Sequence, residues 1–220
     1  MIAMNLKQAR FNMIEQQIRT WEVLDPIVLD LLNQVPREDF VPENCQGLAF
    51  ADLEIPIGHE QFMLSPKLEA RIIQTLALKK TDKVLEVGTG SGYLTALLAK
   101  LAAEVISVDC IAEFTTNARQ KLLQHGLDNI LLETGDAAQG WPSHAPYDVI
   151  VLTGSVPRLP EDFRQQLKPG GRLFAVVGEA PVMEATLVSS PAPHVYRTEK
   201  LFELCVPSLS NALQPVRFVF

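Results

Sequence analysis

The sequence predicts an α/β fold: a doubly wound, Rossmann-like parallel sheet carrying an N-terminal helical extension. Three observations lead there. The apolar run 84–87 enters the turn Gly88-Thr89-Gly90-Ser91-Gly92-Tyr93 and then a helical stretch at 94–101, the strand-turn-helix unit of a nucleotide-type site. Further apolar runs at 105–109, 130–133 and 148–152 alternate with helical stretches, as in a parallel sheet. Ahead of them, Leu6, Ala9, Met13, Ile14 and Ile18 recur at the spacing of an amphipathic helix.

A chain of 220 residues with 47% hydrophobic content can bury a sizeable core. We expect residues 1–80 to form the helical extension and a substrate loop, and residues 81–220 the core. A formal charge of -7 argues against nucleic acid or an anionic membrane as a general partner. Cys45, Cys110 and Cys205 are odd in number and contain no C-x-x-C pair, so neither a disulfide framework nor a zinc site is expected. The four histidines show no metal-ligand spacing, and no metal is expected. No apolar run approaches 18 residues, which leads us to expect a cytoplasmic protein.

In chain order, the first helix spans 6–18. Asp25-Pro26 reads as an N-cap and first-turn proline opening a second helix to Leu32. Pro36 and Pro42 bracket a connector. Residues 53–66 read as an irregular loop, followed by a helix over 67–77 with Ser65 at its N-cap. His59 lies in that loop, where it either touches a substrate or is an ordinary solvated histidine. After the glycine turn come a strand at 105–109, a helix at 111–125 stopped by Gly126, a strand at 130–133 and a central strand at 148–152 ending at Thr153-Gly154-Ser155. A short helix at 160–167 and a strand at 172–177 follow. Runs at 185–189, 194–204 and 216–220 are expected to finish the sheet with antiparallel strands.

The G-x-G-x-G spacing fits neither a G-x-G-x-x-G dinucleotide fingerprint nor a phosphate-binding P-loop. Glu86, two residues before the first glycine, would repel a pyrophosphate and welcome an ammonium group. Asp109 closes the next strand about 20 residues on, where an acidic side chain accepts ribose hydroxyls. The ligand therefore carries a ribose and a cationic amine without needing phosphates. S-adenosylmethionine meets that description.

Val35-Pro36-Arg37, Phe40-Val41-Pro42-Glu43, Pro56-Ile57-Gly58, Gln61, Pro66 and the stretch 84–93 resemble the protein-L-isoaspartate O-methyltransferases. Asn129, Gly135-Asp136, Gly140-Trp141-Pro142, Ala145-Pro146-Tyr147-Asp148, Thr153 and the stretch 166–171 continue the match in order, so that it covers residues 5–180. The resemblance implies S-adenosylmethionine as methyl donor, S-adenosylhomocysteine as product, and a protein or peptide acceptor carrying isoaspartyl residues. It implies donor contacts from Glu86, Gly88, Thr89, Gly90, Gly92, Asp109 and Cys110, with Asp136, Ala137 and Thr153 completing that half. Asp136 takes the place near the adenine amino group. Ile57, Gly58, His59, Gln61, Phe62 and Leu64 fall on the acceptor side.

One loop departs from the family pattern, Ile-Gly-x-Gly-Gln-Thr-Ile-Ser-x-Pro, whose hydroxyls face the isoaspartyl group and the donor. Here Glu60 replaces the second glycine, Phe62 the threonine and Leu64 the serine. Ser65 takes the catalytic serine's place only if the loop slips by one residue, against its N-cap position. Two other readings stay open: a donor-binding protein with a different acceptor or no transfer activity, and a nicotinamide-dependent oxidoreductase, which Glu86 disfavours.

Overall fold

Alternate residues along the central strands are apolar on both faces, so the sheet needs cover on each side. The structure, a computed structural model, describes residues 5–214. The expected strand at 216–220 lies outside them.

Asn5 caps α1 (Leu6–Met13) by accepting from the Gln8 N–H. The expected single helix then widens into a π-helical stretch, Ile14–Ile18, and a 3-10 turn, Arg19–Trp21. The Thr20 hydroxyl donates to the carbonyls of Gln16 and Gln17 there, a side-chain intrusion that bends a helical ladder. Asp25 caps α2 (Pro26–Gln34), with Pro26 in its first turn. Residues 53–66, expected to be irregular, contain a hairpin of β1 (Ile55–Gly58) and β2 (Gln61–Met63). Its two-residue loop, His59-Glu60, has φ of 51° and 58°, the left-handed pair that a tight hairpin turn demands. Ser65 occupies the N-cap position of α3 (Pro66–Leu76), yet its side chain makes no capping bond.

Seven strands form the main sheet: β3 (Lys83–Val87), β4 (Glu104–Asp109), β5 (Ile130–Thr134), β6 (Tyr147–Val156), β7 (Leu167–Glu179), β8 (Val182–Ala192) and β9 (Val195–Glu203). Their order is β5-β4-β3-β6-β7-β8-β9. The first five in that order run parallel, and β8 and β9 are antiparallel. Strand β6 extends beyond the expected Leu152 because Ser155 and Val156 pair with Val176 and Val177 of β7, and Ser155 also bridges to Ser208, far along the chain.

Val84, Val105, Val149 and Phe174 face one side and pack with Met13, Leu32 and Ile72 of the N-terminal segments and with α4 (Tyr93–Leu101) and α5 (Ala112–Gln124). Leu85, Ile106, Ile150 and Leu173 face the other, where Phe163 of α6 (Glu161–Gln165) and Ala212 cover them. From β3 the chain winds outward to β4 and β5, then returns to place β6 on β3's other side. That reversal opens a crevice at the strands' carboxyl ends.

The strained turn is testable. Glycine at position 60 removes about 1–2 kcal/mol of left-handed backbone cost and gives back about 0.5–1 kcal/mol in chain entropy. Glu60→Gly is therefore expected to raise unfolding stability by about 0.5–1 kcal/mol in urea titrations.

Candidate functional site

The crevice holds about 850 Å³ of empty space, part of it open to solvent. Its floor is the turn after β3. Gly88 has φ +99°, and a Cβ there would stand 2.1 Å from the Thr153 hydroxyl oxygen. Because it has none, the Thr153 hydroxyl reaches the carbonyls of Val87 (3.0 Å) and Gly88 (3.1 Å). This contact joins the ends of β3 and β6.

Asp109 ends β4 against the same turn. Its Oδ2 accepts from the Gly90 N–H and its Oδ1 from the Ile111 N–H, both at 2.9 Å. Desolvation pushes its pKa up against the pull of these N–H groups. A carboxylate has about four lone-pair sites, so each oxygen can still accept from a ligand hydroxyl. At the end of β5, Asp136 accepts from the Ala138 N–H and from the Asn211 side chain. Among the described residues no Lys, Arg or His lines the crevice, whereas Asp109 and Asp136 both do. That lining repels phosphate and favours a cationic ligand.

Of the residues the sequence singled out, the fold gathers Gly88, Thr89, Gly90, Asp109, Cys110, Asp136, Ala137 and Thr153 around one half of the space. It brings Ile57, Gln61, Phe62 and Leu64 to the other. Glu86, Gly92, Gly58, His59 and Ser65 do not line it.

The displaced residues have other work. Glu86 is fully buried beneath the turn. Its Oε2 accepts from Thr95 (2.5 Å) and Ser107 (2.6 Å), and Ser107 in turn pairs with Thr89 (2.7 Å). Burial drives its pKa from 4.5 to about 8 against these hydrogen bonds. The group is thus mostly uncharged at neutral pH and supports the glycine turn from below, without attracting an ammonium. Gly92 starts α4, and its missing Cβ leaves room for Ala118 of α5, which would otherwise be 2.9 Å away. His59 hydrogen-bonds Glu113 at 2.8 Å and tethers the hairpin tip to α5, while Gly58 is exposed beside it. Ser65 belongs to the helix start, so the loop has not slipped to bring it forward.

The model of the family described as protein-L-isoaspartate(D-aspartate) O-methyltransferase matches residues 8–201. The chain belongs to this family. It is 43% identical over 169 residues to protein-L-isoaspartate O-methyltransferase 1 of Rhodopseudomonas palustris strain HaA2, covering 77% of this chain and 69% of that one. With protein-L-isoaspartate O-methyltransferase 1 of Geotalea uraniireducens it shares 38% identity over 216 residues, 98% of this chain and 93% of that one. A solved Plasmodium falciparum chain in complex with S-adenosyl-L-homocysteine has the same fold. It superposes with a TM-score of 0.79 at 21% identity, over 94% of this chain and 99% of that one.

As a protein-L-isoaspartate O-methyltransferase family member, the chain departs from the family pattern in and just after the β1–β2 hairpin, at Glu60, Phe62 and Leu64. The left-handed φ at Glu60 is the conformation for which the family pattern supplies glycine. Phe62, 43% exposed, stands at the mouth, and the buried Leu64 lies deeper. Sequence reasoning missed Glu69, which lines the crevice from α3, and residues 207–210, which close it from the far end of the chain. The Ser155 and Leu209 backbones hold that segment through Ser155 N–H to Pro207 O (2.9 Å) and Leu209 N–H to Ser155 O (2.8 Å). Glu69 carried a signal, an acid among the apolar positions of a helix. Residues 207–210 carried none.

Glu86 makes stability depend on pH. A pKa raised on folding favours the folded state fully below the unfolded value of 4.5, and this contribution is lost as pH rises toward about 8. Glutamine does not titrate. The stability of Glu86→Gln relative to the parent is therefore expected to increase between pH 5 and pH 8, the range spanned by those values, in denaturant titrations at stepped pH.

Proposed function

We propose that this chain transfers the methyl group of S-adenosylmethionine to a carboxylate oxygen of isoaspartyl residues in damaged protein. Membership of the family supports the reaction. The observation that carries the donor assignment is membership of the family over residues 8–201, and the crevice lining, with Asp109 and Asp136 and no Lys, Arg or His among the described residues, is compatible with a cationic donor. Asp109 would accept the ribose hydroxyls of either donor; against a nicotinamide dinucleotide stands the G-x-G-x-G spacing of Gly88, Gly90 and Gly92, which departs from the G-x-G-x-x-G turn that cradles a pyrophosphate. Residues 81–220 would supply the donor half, and residues 1–80 the acceptor wall.

The cradle fits the donor. Gly88 and Gly90 present backbone with φ of +99° and +50° and no side chain. Asp109 would accept from the ribose hydroxyls with its remaining lone pairs, and Asp136 would accept from the adenine amino group. Thr153 would fix the turn on which the donor rests. When bound, S-adenosylmethionine supplies an electrophilic methyl on a cationic sulfur.

An acceptor carboxyl with a pKa near 4 is already ionised at pH 7, so the chain needs no general base. Its task is alignment and exclusion of water. Ile57, Phe62, Leu64 and Leu94 form an apolar wall suited to the second. Phe62 and Leu64 offer no hydroxyl for the first, which leaves orientation to the backbone and to the remaining polar groups.

The deciding experiment incubates purified protein with labelled S-adenosylmethionine and an isoaspartyl peptide beside its aspartyl isomer. Methyl ester on the isoaspartyl peptide alone is the expected result. Donor binding with no ester on either peptide would favour another acceptor or a binding role. For the donor half, Asp109→Ala is expected to weaken S-adenosylhomocysteine binding by about 1–3 kcal/mol in calorimetry, through lost charge-assisted hydrogen bonds. Unchanged affinity would remove Asp109 from the site.

A further inference from the structure

Arg37 lies in the connector between α2 and the hairpin, is 1% exposed, and spends its guanidinium on three segments of the chain. Its Nε donates to the Ala49 carbonyl at 2.9 Å, its Nη2 to the Leu64 carbonyl at 2.6 Å, and its Nη1 pairs with Glu69. The guanidinium carbon also stands 5.0 Å from the centre of the Tyr93 ring at the start of α4. Burial lowers the Arg37 pKa from 12.5 to about 10, which leaves it charged at neutral pH. Glu69, 2% exposed, and Leu64 both line the acceptor half of the crevice.

A buried ion pair is a poor way to gain stability, because apolar residues of similar volume often do as well or better. Direction is what this one supplies. The planar fork of Arg offers N–H groups at fixed angles: here one holds the Leu64 carbonyl, a second Glu69 at the start of α3, and Nε ties the fork to the Ala49 carbonyl. The family's hydroxyls are absent from that stretch, so the acceptor wall depends for its placement on its backbone. The Leu64 carbonyl, after the end of β2, is held by Arg37.

We propose that the Arg37–Glu69 pair is the positioning device of the acceptor wall: through the Leu64 carbonyl and the Glu69 carboxylate it sets where the acceptor lies relative to the donor. The inference rests on the transferase reading above. Neither residue takes part in the chemical step, and the donor half, built from Gly88, Asp109 and Asp136, makes no use of the pair.

The test compares Arg37→Lys and the double variant Arg37→Met/Glu69→Met with the parent. The double variant replaces the pair with apolar side chains of similar volume and avoids stranding one buried charge. Three readouts are taken: S-adenosylhomocysteine affinity, kcat and KM with isoaspartyl peptide, and amide hydrogen exchange. The double variant is expected to keep donor affinity within about twofold and to lose about 10²-fold in kcat/KM, the scale of a misplacement of about 1 Å. Exchange should accelerate at residues 61–64 and stay unchanged in β3. Arg37→Lys keeps the charge but not the fork, and is expected not to restore kcat/KM.

Parent-like kcat/KM in the double variant would overturn the inference and leave the transferase reading intact. So would a parallel loss of donor affinity and β3 protection, which would mark the pair as part of the general core. No ester from the parent protein with any isoaspartyl peptide would overturn the transferase reading, and the inference with it.

Discussion

The glycine turn that floors the crevice depends on a carboxyl held inside the protein. Glu86 sits under the glycine turn with Thr95 and Ser107 donating to one oxygen, and Ser107 relays the network to Thr89. An ionised carboxylate would be costly in that place, since burial penalises charge and no cation stands opposite. The group responds by holding its proton. As a neutral residue it ties β3, β4 and α4 together, and the backbone from Gly88 to Gly92 lies over this support.

Electrostatics of the crevice then follows from what faces it. Asp109 and Asp136 project from the ends of β4 and β5, and both are partly satisfied by backbone N–H groups, which hold their orientation without cancelling their charge. The attraction for a cationic ligand thus arises at the rim of the sheet and not from the acid within the glycine motif. A carboxylate two residues before the first glycine reads, along the chain, as if it faced the ligand. The alternation of a strand turns its side chain to the helix-covered face instead.

The β1–β2 hairpin shows how local sequence and conformation fit together. The hairpin loop needs two left-handed residues, and His59 and Glu60 meet that need at a cost that Glu60 makes visible. His59 then tethers the loop to α5 through Glu113. Phe62 lies in β2 and Leu64 one residue past its end.

The sequence by itself determined the parallel sheet, the glycine turn and the acids at the strand ends, because each is written in neighbouring residues: short apolar runs alternating with helical stretches, a glycine spacing, an acid at a strand terminus; the order of the strands came from the structure. The sequence also determined the family, through motifs collinear over most of the chain. The tertiary structure decided the protonation of Glu86, the packing role of Gly92, the clamp of Arg37 on Leu64 and Glu69, and the closure of the crevice by residues 207–210. These arise between segments tens of residues apart, such as the 32 between Arg37 and Glu69. Burial and direction at such a distance exist only once the chain has packed. No local pattern encodes which side chain will lose its water or which carbonyl an arginine will find.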